Sequence, residues 1–156
     1  MIESSLLRGT LLYVKNGENV LVNFYYPEGL SWHCVECGTC CGDVKERTRM
    51  ILLLPEDIKR ITKLGEEDFY EEWNDEKFKG IMHKKNRKCI FYTNDGCRIY
   101  KNRALLCRMY PFWLEKKQEE FIFGVDLDCP GLGAGKLLDE EFYKSLLNLA
   151  LTAMDY

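Results

Sequence analysis

Two β-rich apolar runs, Leu11–Val14 and Val20–Tyr26, stand near the start of the chain and are separated by a short polar stretch. That stretch contains Asn16 and Gly17, and Asn-Gly between two such runs is the strongest short-range signal for a β-hairpin. The pattern therefore predicts an N-terminal hairpin that ends near Pro27.

Similar apolar runs recur later and predict further strands. Two of them flank the polar segment Lys116–Glu120 and are expected to pair as a second hairpin. Asn94, Asp95 and Gly96 form another turn signal, which places Cys97 directly after a turn. The strands predicted after the first hairpin are Thr48–Leu54, Phe78–His83, Cys89–Tyr92, Phe112–Glu115 and Phe121–Asp126.

One amphipathic helix is predicted to begin at Pro55, because proline suits the first position of a helix. Ile58, Ile61 and Leu64 recur at helical spacing and would form its buried face. Gly65 follows as a stop signal.

Three more helical segments are expected. Glu66–Trp73 is predicted to be an acidic helix whose aromatic residues face the core, and Arg103–Arg108 would add one or two turns before Pro111. Asp139 is expected to cap the last helix. The predicted buried face of that helix consists of apolar residues at helical spacing, namely Phe142, Leu146, Leu149, Ala150 and Ala153.

These patterns predict an α+β fold. We expect a small single domain over residues 1–156, built of short β-hairpins and a few helices organised around cysteine-bearing loops. A chain of 156 residues with 46% hydrophobic residues fits one globular domain of ordinary size. Such a chain can bury a core without covalent cross-links.

Charge and hydropathy argue against two classes of partner. The net charge is -3 and the pI is about 5.5, so the basic footprint of a nucleic-acid-binding protein is missing. No apolar run reaches the length of about 18 residues that a membrane span needs, and the first residues do not form a secretory signal. We therefore expect a cytoplasmic protein, in which thiols stay reduced. A protein partner is left open.

Eight cysteines in a cytoplasmic chain need an explanation. Four disulfides would suit a small secreted scaffold rather than a chain that can build an adequate core. Packing in the core could account for one or two thiols, but not for four of them within eight residues. Metal binding is the preferred interpretation, and the expected ligands are Cys34, Cys37, Cys40, Cys41, Cys89, Cys97, Cys107 and Cys129.

The string Cys34-Val-Glu-Cys37-Gly-Thr-Cys40-Cys41 is the most informative segment. Its overlapping Cys-x-x-Cys units let the backbone curl round one centre and present three thiolates. Bacterial ferredoxin sites hold a 4Fe–4S cluster with three cysteines at this spacing and a distant cysteine that precedes proline. The residue after Cys129 is also a proline.

The adjacent cysteines Cys40 and Cys41 suggest two centres. Successive side chains in an extended segment point to opposite faces, so these two residues more naturally serve different centres. Spacing alone does not fix the pairing, and the partition is a hypothesis. It assigns Cys34, Cys37, Cys40 and Cys129 to one centre and Cys41, Cys89, Cys97 and Cys107 to the other.

Sulfur-only coordination suits both zinc and iron–sulfur clusters. Structural zinc usually takes two separate Cys-x-x-Cys knuckles, whereas this chain has one overlapping group followed by isolated cysteines. The spacing favours an iron–sulfur cluster, preferably 4Fe–4S, with zinc as the alternative. Nearby basic residues could compensate the thiolate charge or could be solvated surface charges, and they are Arg98, Lys101, Arg103 and Arg108.

These motifs together resemble the YkgJ-type cysteine-cluster family. They are the string Cys34–Cys41, the segments Cys89-Ile-Phe-Tyr and Cys97-Arg-Ile-Tyr, and the stretch Leu106–Phe112.

The resemblance extends from Trp32 to Gly133 and implies a zinc- or iron-chelating domain with the cysteines as ligands. The family usually has Arg-Pro before the third late cysteine. Here Arg103 is followed by Ala104, so the arginine is kept and the pre-set turn is lost. Flagellin lysine N-methylases contain a similar domain, which makes protein methylation an analogy for this chain.

Other motifs contribute less. The glycine-rich segment Gly131–Lys136 lacks the Ser or Thr that follows the lysine of a phosphate-binding loop, so we expect a cysteine-bearing loop over Cys129–Gly135. His33 could replace or tune a thiolate, although a single histidine is more often structural. His83 lies in a basic stretch that we expect to form a solvated hairpin turn.

The sequence carries no positive signature of an enzyme, because no base stands beside a candidate nucleophile and no carboxylates form a recognisable pair. The leading hypothesis is a metal-binding protein with one or two iron–sulfur clusters, used for electron transfer, metal handling or structure. One alternative is a cluster-dependent group-transfer enzyme such as a protein lysine methylase. Another is a structural zinc domain that docks a protein partner through the acidic segment around Trp73.

Overall fold

Strands outnumber helices in the computed structural model, which describes residues 6–34, 42 and 48–155. Within these ranges three α-helices occur, α1 (Pro55–Thr62), α2 (Leu105–Met109) and α3 (Glu140–Ala153), with a short 3₁₀ helix at Tyr100–Asn102. None of the described helices has the length and apolar character that crossing a bilayer needs. The described residues contain both helices and strands, as the predicted α+β class requires.

The strands of the described residues are β1 (Leu6–Lys15), β2 (Glu18–Pro27), β3 (Ser31–Trp32), β4 (Leu52–Leu53), β5 (Tyr70–Glu72), β6 (Gly80–Met82), β7 (Lys84–Lys85), β8 (Lys88–Cys89), β9 (Tyr92–Thr93), β10 (Gly96–Cys97), β11 (Phe112–Lys117), β12 (Glu120–Val125) and β13 (Leu132–Leu137).

The chain folds as two compact units. The first unit comprises residues 1–35 and 109–156, and the second comprises residues 36–108. That residues 1–156 form one domain stays a prediction.

The first unit is built on a four-stranded sheet with the order β1-β2-β12-β11. β1 and β2 form the predicted N-terminal hairpin, and its turn residues Asn16 and Gly17 have φ values of 52° and 79°. Positive φ at both central positions is what a type I′ turn requires. β11 and β12 form the predicted second hairpin, and β12 runs parallel to β2.

An aromatic core joins this sheet to α3. Tyr143 of α3 is fully buried, and its ring centroid lies 4.7 Å from that of Tyr26, 5.3 Å from that of Phe123 and 5.5 Å from that of Phe112. These separations are typical of favourable aromatic pairs. One side chain of the helix therefore packs against three strands of the sheet.

The start of α3 was predicted correctly, but its buried face was not. The N–H of Phe142 donates to Asp139 Oδ1 at 3.0 Å, as expected for the cap. Of the predicted face only Ala150 is fully buried, because the face that packs against the sheet is centred one position later along the helix, on Tyr143 and Leu147. The buried residues are Tyr143, Leu147, Ala150 and Leu151.

The second unit contains an antiparallel sheet with the order β4-β6-β5 and two small hairpins, β7–β8 and β9–β10. α1 begins at Pro55 as predicted, and Ile61 is buried. Leu64, which was predicted on the buried face, is 47% exposed because the helix ends at Thr62. The strand predicted over Thr48–Leu54 is limited to β4.

The helix predicted over Glu66–Trp73 is wrong, because β5 lies within this segment and pairs with β6. Asp68 has a φ of 51°, which no helical path allows. Phe69 is buried as predicted, whereas Trp73 is 38% exposed. A partner strand therefore overrides the local helical pattern.

Tyr143 generates a prediction about stability. Its hydroxyl is buried without a hydrogen-bond partner among the described residues, and burial raises the pKa of this phenol, so the group stays neutral. Replacing Tyr143 with Phe keeps the ring and removes a desolvated polar group, so the free energy of unfolding should rise by about 1 kcal/mol. Urea denaturation followed by circular dichroism measures the change. A fall of similar size would show that the hydroxyl has a partner and would contradict this packing.

Candidate metal centre

Five of the expected ligands lie among the described residues, and they are thiols rather than disulfides, namely Cys34, Cys89, Cys97, Cys107 and Cys129. The other three, Cys37, Cys40 and Cys41, lie outside the described residues. The interpretation as a disulfide scaffold therefore gains no support from the described part of the chain.

In the first unit, β3 and β13 bring the segment of Cys34 beside that of Cys129. The strands are antiparallel, and the N–H of His33 donates to the carbonyl oxygen of Gly131 at 3.1 Å. In an antiparallel pair, residues that follow on one strand lie beside residues that precede on the other. Cys34 follows His33, and Cys129 precedes Gly131 by two residues. The pairing thus directs both cysteine-bearing segments to the same end of the ladder.

Glycine is required where these two segments approach. A Cβ on Gly131 would overlap the carbonyl oxygen of His33. The loop predicted over Cys129–Gly135 is wrong from Leu132 onward, because that part belongs to β13. The glycines indicated a loop, but here they allow a close and irregular strand pairing.

Asp126 fixes the turn that carries Cys129. Its Oδ2 accepts the hydroxyl hydrogen of Tyr110 at 2.8 Å, and its Oδ1 accepts the N–H of Asp128 at 3.0 Å. Its carbonyl oxygen accepts the N–H of Cys129 at 3.2 Å. Cys129 is 8% exposed. Hydrogen bonds to Asp126 therefore order the turn that leads into Cys129.

In the second unit, three cysteines gather at one buried cluster. Cys89 belongs to the cluster, while Cys97 and Cys107 pack against it. β8, β10 and α2 supply these three residues in turn. We call this the second-unit cluster, and its buried members are Ile51, Leu53, Ile61, Phe69, Met82, Cys89, Phe91, Ile99 and Ala104.

The backbone next to Cys89 can stabilise negative charge on its sulfur. The N–H of Phe91 lies 3.5 Å from Cys89 Sγ and points toward it. A hydrogen bond to sulfur favours the charged form, which is the form that binds metal.

Two of the basic residues expected to compensate thiolate charge, Arg98 and Arg103, interact with neighbouring side chains. Arg98 donates to both carboxylate oxygens of Glu66, at 2.8 and 2.6 Å. This hydrogen-bonded pair lowers the pKa of Glu66 and raises that of Arg98. The guanidinium of Arg103 lies 3.9 Å from the ring centroid of Tyr100. The charge of Cys97 also contributes to the raised pKa of Arg98, so this residue lies close enough to act on one expected ligand. Lys101 and Arg108 are exposed.

A backbone bridge links Gly42 to the segment of Cys89. Gly42 pairs antiparallel with Lys88, and a Cβ on Gly42 would overlap the carbonyl oxygen of Arg87. Glycine is therefore needed at a second close approach, immediately before Cys89 in the chain.

No complete ligand set lies within residues 6–34, 42 and 48–155, where no three Cys, His, Asp or Glu side chains lie close enough together to hold a metal ion. The first predicted set is represented there by Cys34 and Cys129 alone. The second is represented by Cys89, Cys97 and Cys107, which share a cluster without forming a group of three ligands. A four-ligand centre needs the cysteines outside these ranges.

Neither histidine belongs to a group of three possible metal ligands within the described ranges. His33 is exposed, and His83 Nδ1 lies 2.9 Å from the carbonyl oxygen of Asp68. The basic stretch after His83 forms the predicted hairpin, with Asn86 and Arg87 at positive φ in the turn between β7 and β8.

The chain is similar to a known protein and to a family model. The "Uncharacterized protein MJ0661" of Methanocaldococcus jannaschii is 29% identical over 155 residues, which cover 88% of this chain and 77% of that protein. No solved structure matches the chain significantly. Residues 33–130 match a family model described as "CxxCxxCC: Putative zinc- or iron-chelating domain". This match covers more than half of the chain and includes all eight cysteines, from Cys34 to Cys129. The chain belongs to the CxxCxxCC family of zinc- or iron-chelating domains.

Proposed function

We propose that the protein binds metal through its eight cysteines at two centres, with iron–sulfur clusters preferred to zinc, for electron transfer or metal handling. Family membership supports zinc or iron chelation. The observation that carries the proposal further is the antiparallel approach of the Cys34 and Cys129 segments, which are distant in sequence.

The first centre would consist of Cys34, Cys37, Cys40 and Cys129. The hydrogen bond from His33 to Gly131 supports the grouping of Cys34 with Cys129. Cys37 and Cys40 follow Cys34 at intervals of three residues, a spacing that lets one short segment supply three thiolates to one cluster.

The second centre would consist of Cys41, Cys89, Cys97 and Cys107. Consecutive Cα atoms are about 3.8 Å apart, so the bridge between Gly42 and Lys88 supports the grouping of Cys41 with Cys89. Cys97 and Cys107 pack against the cluster that contains Cys89. Metal binding and local folding are coupled, and coordination would draw these thiols into one set.

Ligand chemistry favours iron–sulfur or zinc over harder metals, because thiolates are soft ligands and both proposed sets contain sulfur alone. When bound, an iron–sulfur cluster would supply one-electron redox chemistry at the site. The N–H of Phe91 beside Cys89 would offset part of the thiolate charge.

Metal content tests this proposal directly. After anaerobic purification, we expect iron and acid-labile sulfide in the wild-type protein, and less metal in Cys34→Ser and in Cys107→Ser, because each change removes a ligand. His33→Asn is the matched control and should keep the wild-type metal content. Stoichiometric zinc in colourless protein would select the zinc alternative. Unchanged metal in both cysteine variants would contradict the ligand assignment.

The glycine at the strand contact gives a second test. In Gly131→Ala the new methyl group would overlap the carbonyl oxygen of His33, so the variant should lose about half of the bound metal by separating Cys34 from Cys129. Gly133→Ala is the control for backbone strain in the same strand, because Gly133 has a positive φ of 89°, unlike Gly131, but a Cβ there would meet nothing within 4 Å. Elemental analysis of both variants measures the effect. Wild-type metal content in Gly131→Ala would show that this strand approach does not build the centre.

A further inference from the structure

Asp57 of α1 is buried at 2% exposure, and no other charged residue in the described part of the chain is buried to this degree. A buried carboxylate is costly unless hydrogen bonds or an ion pair compensate it. The N–H of Leu54 donates to Asp57 Oδ2 at 2.9 Å, which caps α1 locally. Arg60 donates from Nη2 to Asp57 Oδ1 at 2.9 Å. These two interactions satisfy the carboxylate within its own helix.

A third interaction reaches across the second unit. Asp57 Oδ1 also accepts the N–H of Leu105 at 3.2 Å, although 48 residues separate the two in sequence. Arg60 Nη2 donates to the carbonyl oxygen of Arg103 at 2.7 Å. Asp57 and Arg60 thus hold a donor and an acceptor of the same short backbone segment, and we call the pair the α1 clamp.

The clamped segment leads directly to a proposed ligand. Leu105 is the first residue of α2, and Cys107 lies two residues further along this helix. α2 has only five residues, and so short a helix is not stable without tertiary support. Ala104 is fully buried, but alanine does not restrict φ as proline would. The clamp supplies an external constraint on this backbone.

We propose that Asp57 and Arg60 are positioning residues for Cys107, and that the α1 clamp sets how tightly the second centre holds its metal. This inference rests on the metal-binding function proposed above. Groups that orient metal ligands without touching the metal typically change metal affinity by about 10–100-fold when they are mutated.

The test is the release of metal from the as-purified full-length protein into excess EDTA under anaerobic, reducing conditions. We expect Asp57→Asn to release the metal of one centre about tenfold faster than wild type, because the neutral amide loses its ion pair with Arg60. Glu56→Gln is the matched control. It makes the same chemical change at an exposed position of the same helix, and it should release metal at the wild-type rate.

A double-mutant cycle separates positioning from general destabilisation. If the clamp acts through Cys107, Asp57→Asn should add nothing to the release rate or metal content of Cys107→Ser, whereas its effect should persist in Cys129→Ser. If Asp57→Asn does not fold, as judged by circular dichroism, Arg60→Lys keeps the charge but lacks the planar fork of arginine. That variant should also release metal faster than wild type.

Two failures would be distinct. Wild-type metal release in a folded Asp57→Asn or Arg60→Lys protein, or an equal effect of Asp57→Asn with and without Cys107, would overturn the clamp and leave the metal-binding proposal intact. Absence of metal from both wild type and Glu56→Gln would overturn the proposed function and the inference with it.

Discussion

The proposed metal chemistry depends on backbone segments that approach closely at glycine. Gly131 lies against the carbonyl oxygen of His33, and Gly42 lies against that of Arg87. A side chain at either position would push the segments apart. Each close approach is close in sequence to one cysteine of the Cys34–Cys41 string and to one later cysteine, Cys129 or Cys89. Both proposed centres therefore depend on a glycine that lets two backbone segments pair. In the proposed centres, distant thiols would become neighbours because the backbone segments beside them pair.

Each unit also has apolar packing of its own. Tyr143 joins α3 to the sheet of the first unit through three aromatic contacts, and the second-unit cluster includes the side chain of Cys89. Packing of this kind can order the surroundings of a thiol before metal binds, which lowers the cost of assembling a centre. The α1 clamp would fix the backbone near Cys107 in the same way, through its hydrogen bonds to Leu105 and Arg103.

Local signals in the sequence were enough to predict the hairpins, the start of α1 and the cap of α3. These signals come from Asn16-Gly17, Pro55 and Asp139. Each residue affects the conformation of its sequence neighbours, so the turn, helix start or cap can be predicted without knowing the fold. The strand β5 and the pairing of β3 with β13 could not be predicted in this way, because both depend on partners far along the chain. The same limit applies to Asp57. The sequence places Asp57 near the start of the predicted helix, whereas its hydrogen bond with the N–H of Leu105 forms only in the folded unit.

The ligand set was predicted from residue type and spacing, and the eight-cysteine assignment stays a prediction. X-ray absorption at the edge of the metal in the as-purified protein tests the central claim most directly, because it identifies the atoms bound to that metal. We predict a first shell of sulfur alone, at about 2.3 Å if the metal is zinc. A first shell dominated by nitrogen or oxygen would contradict the convergence of these cysteines on a shared metal centre.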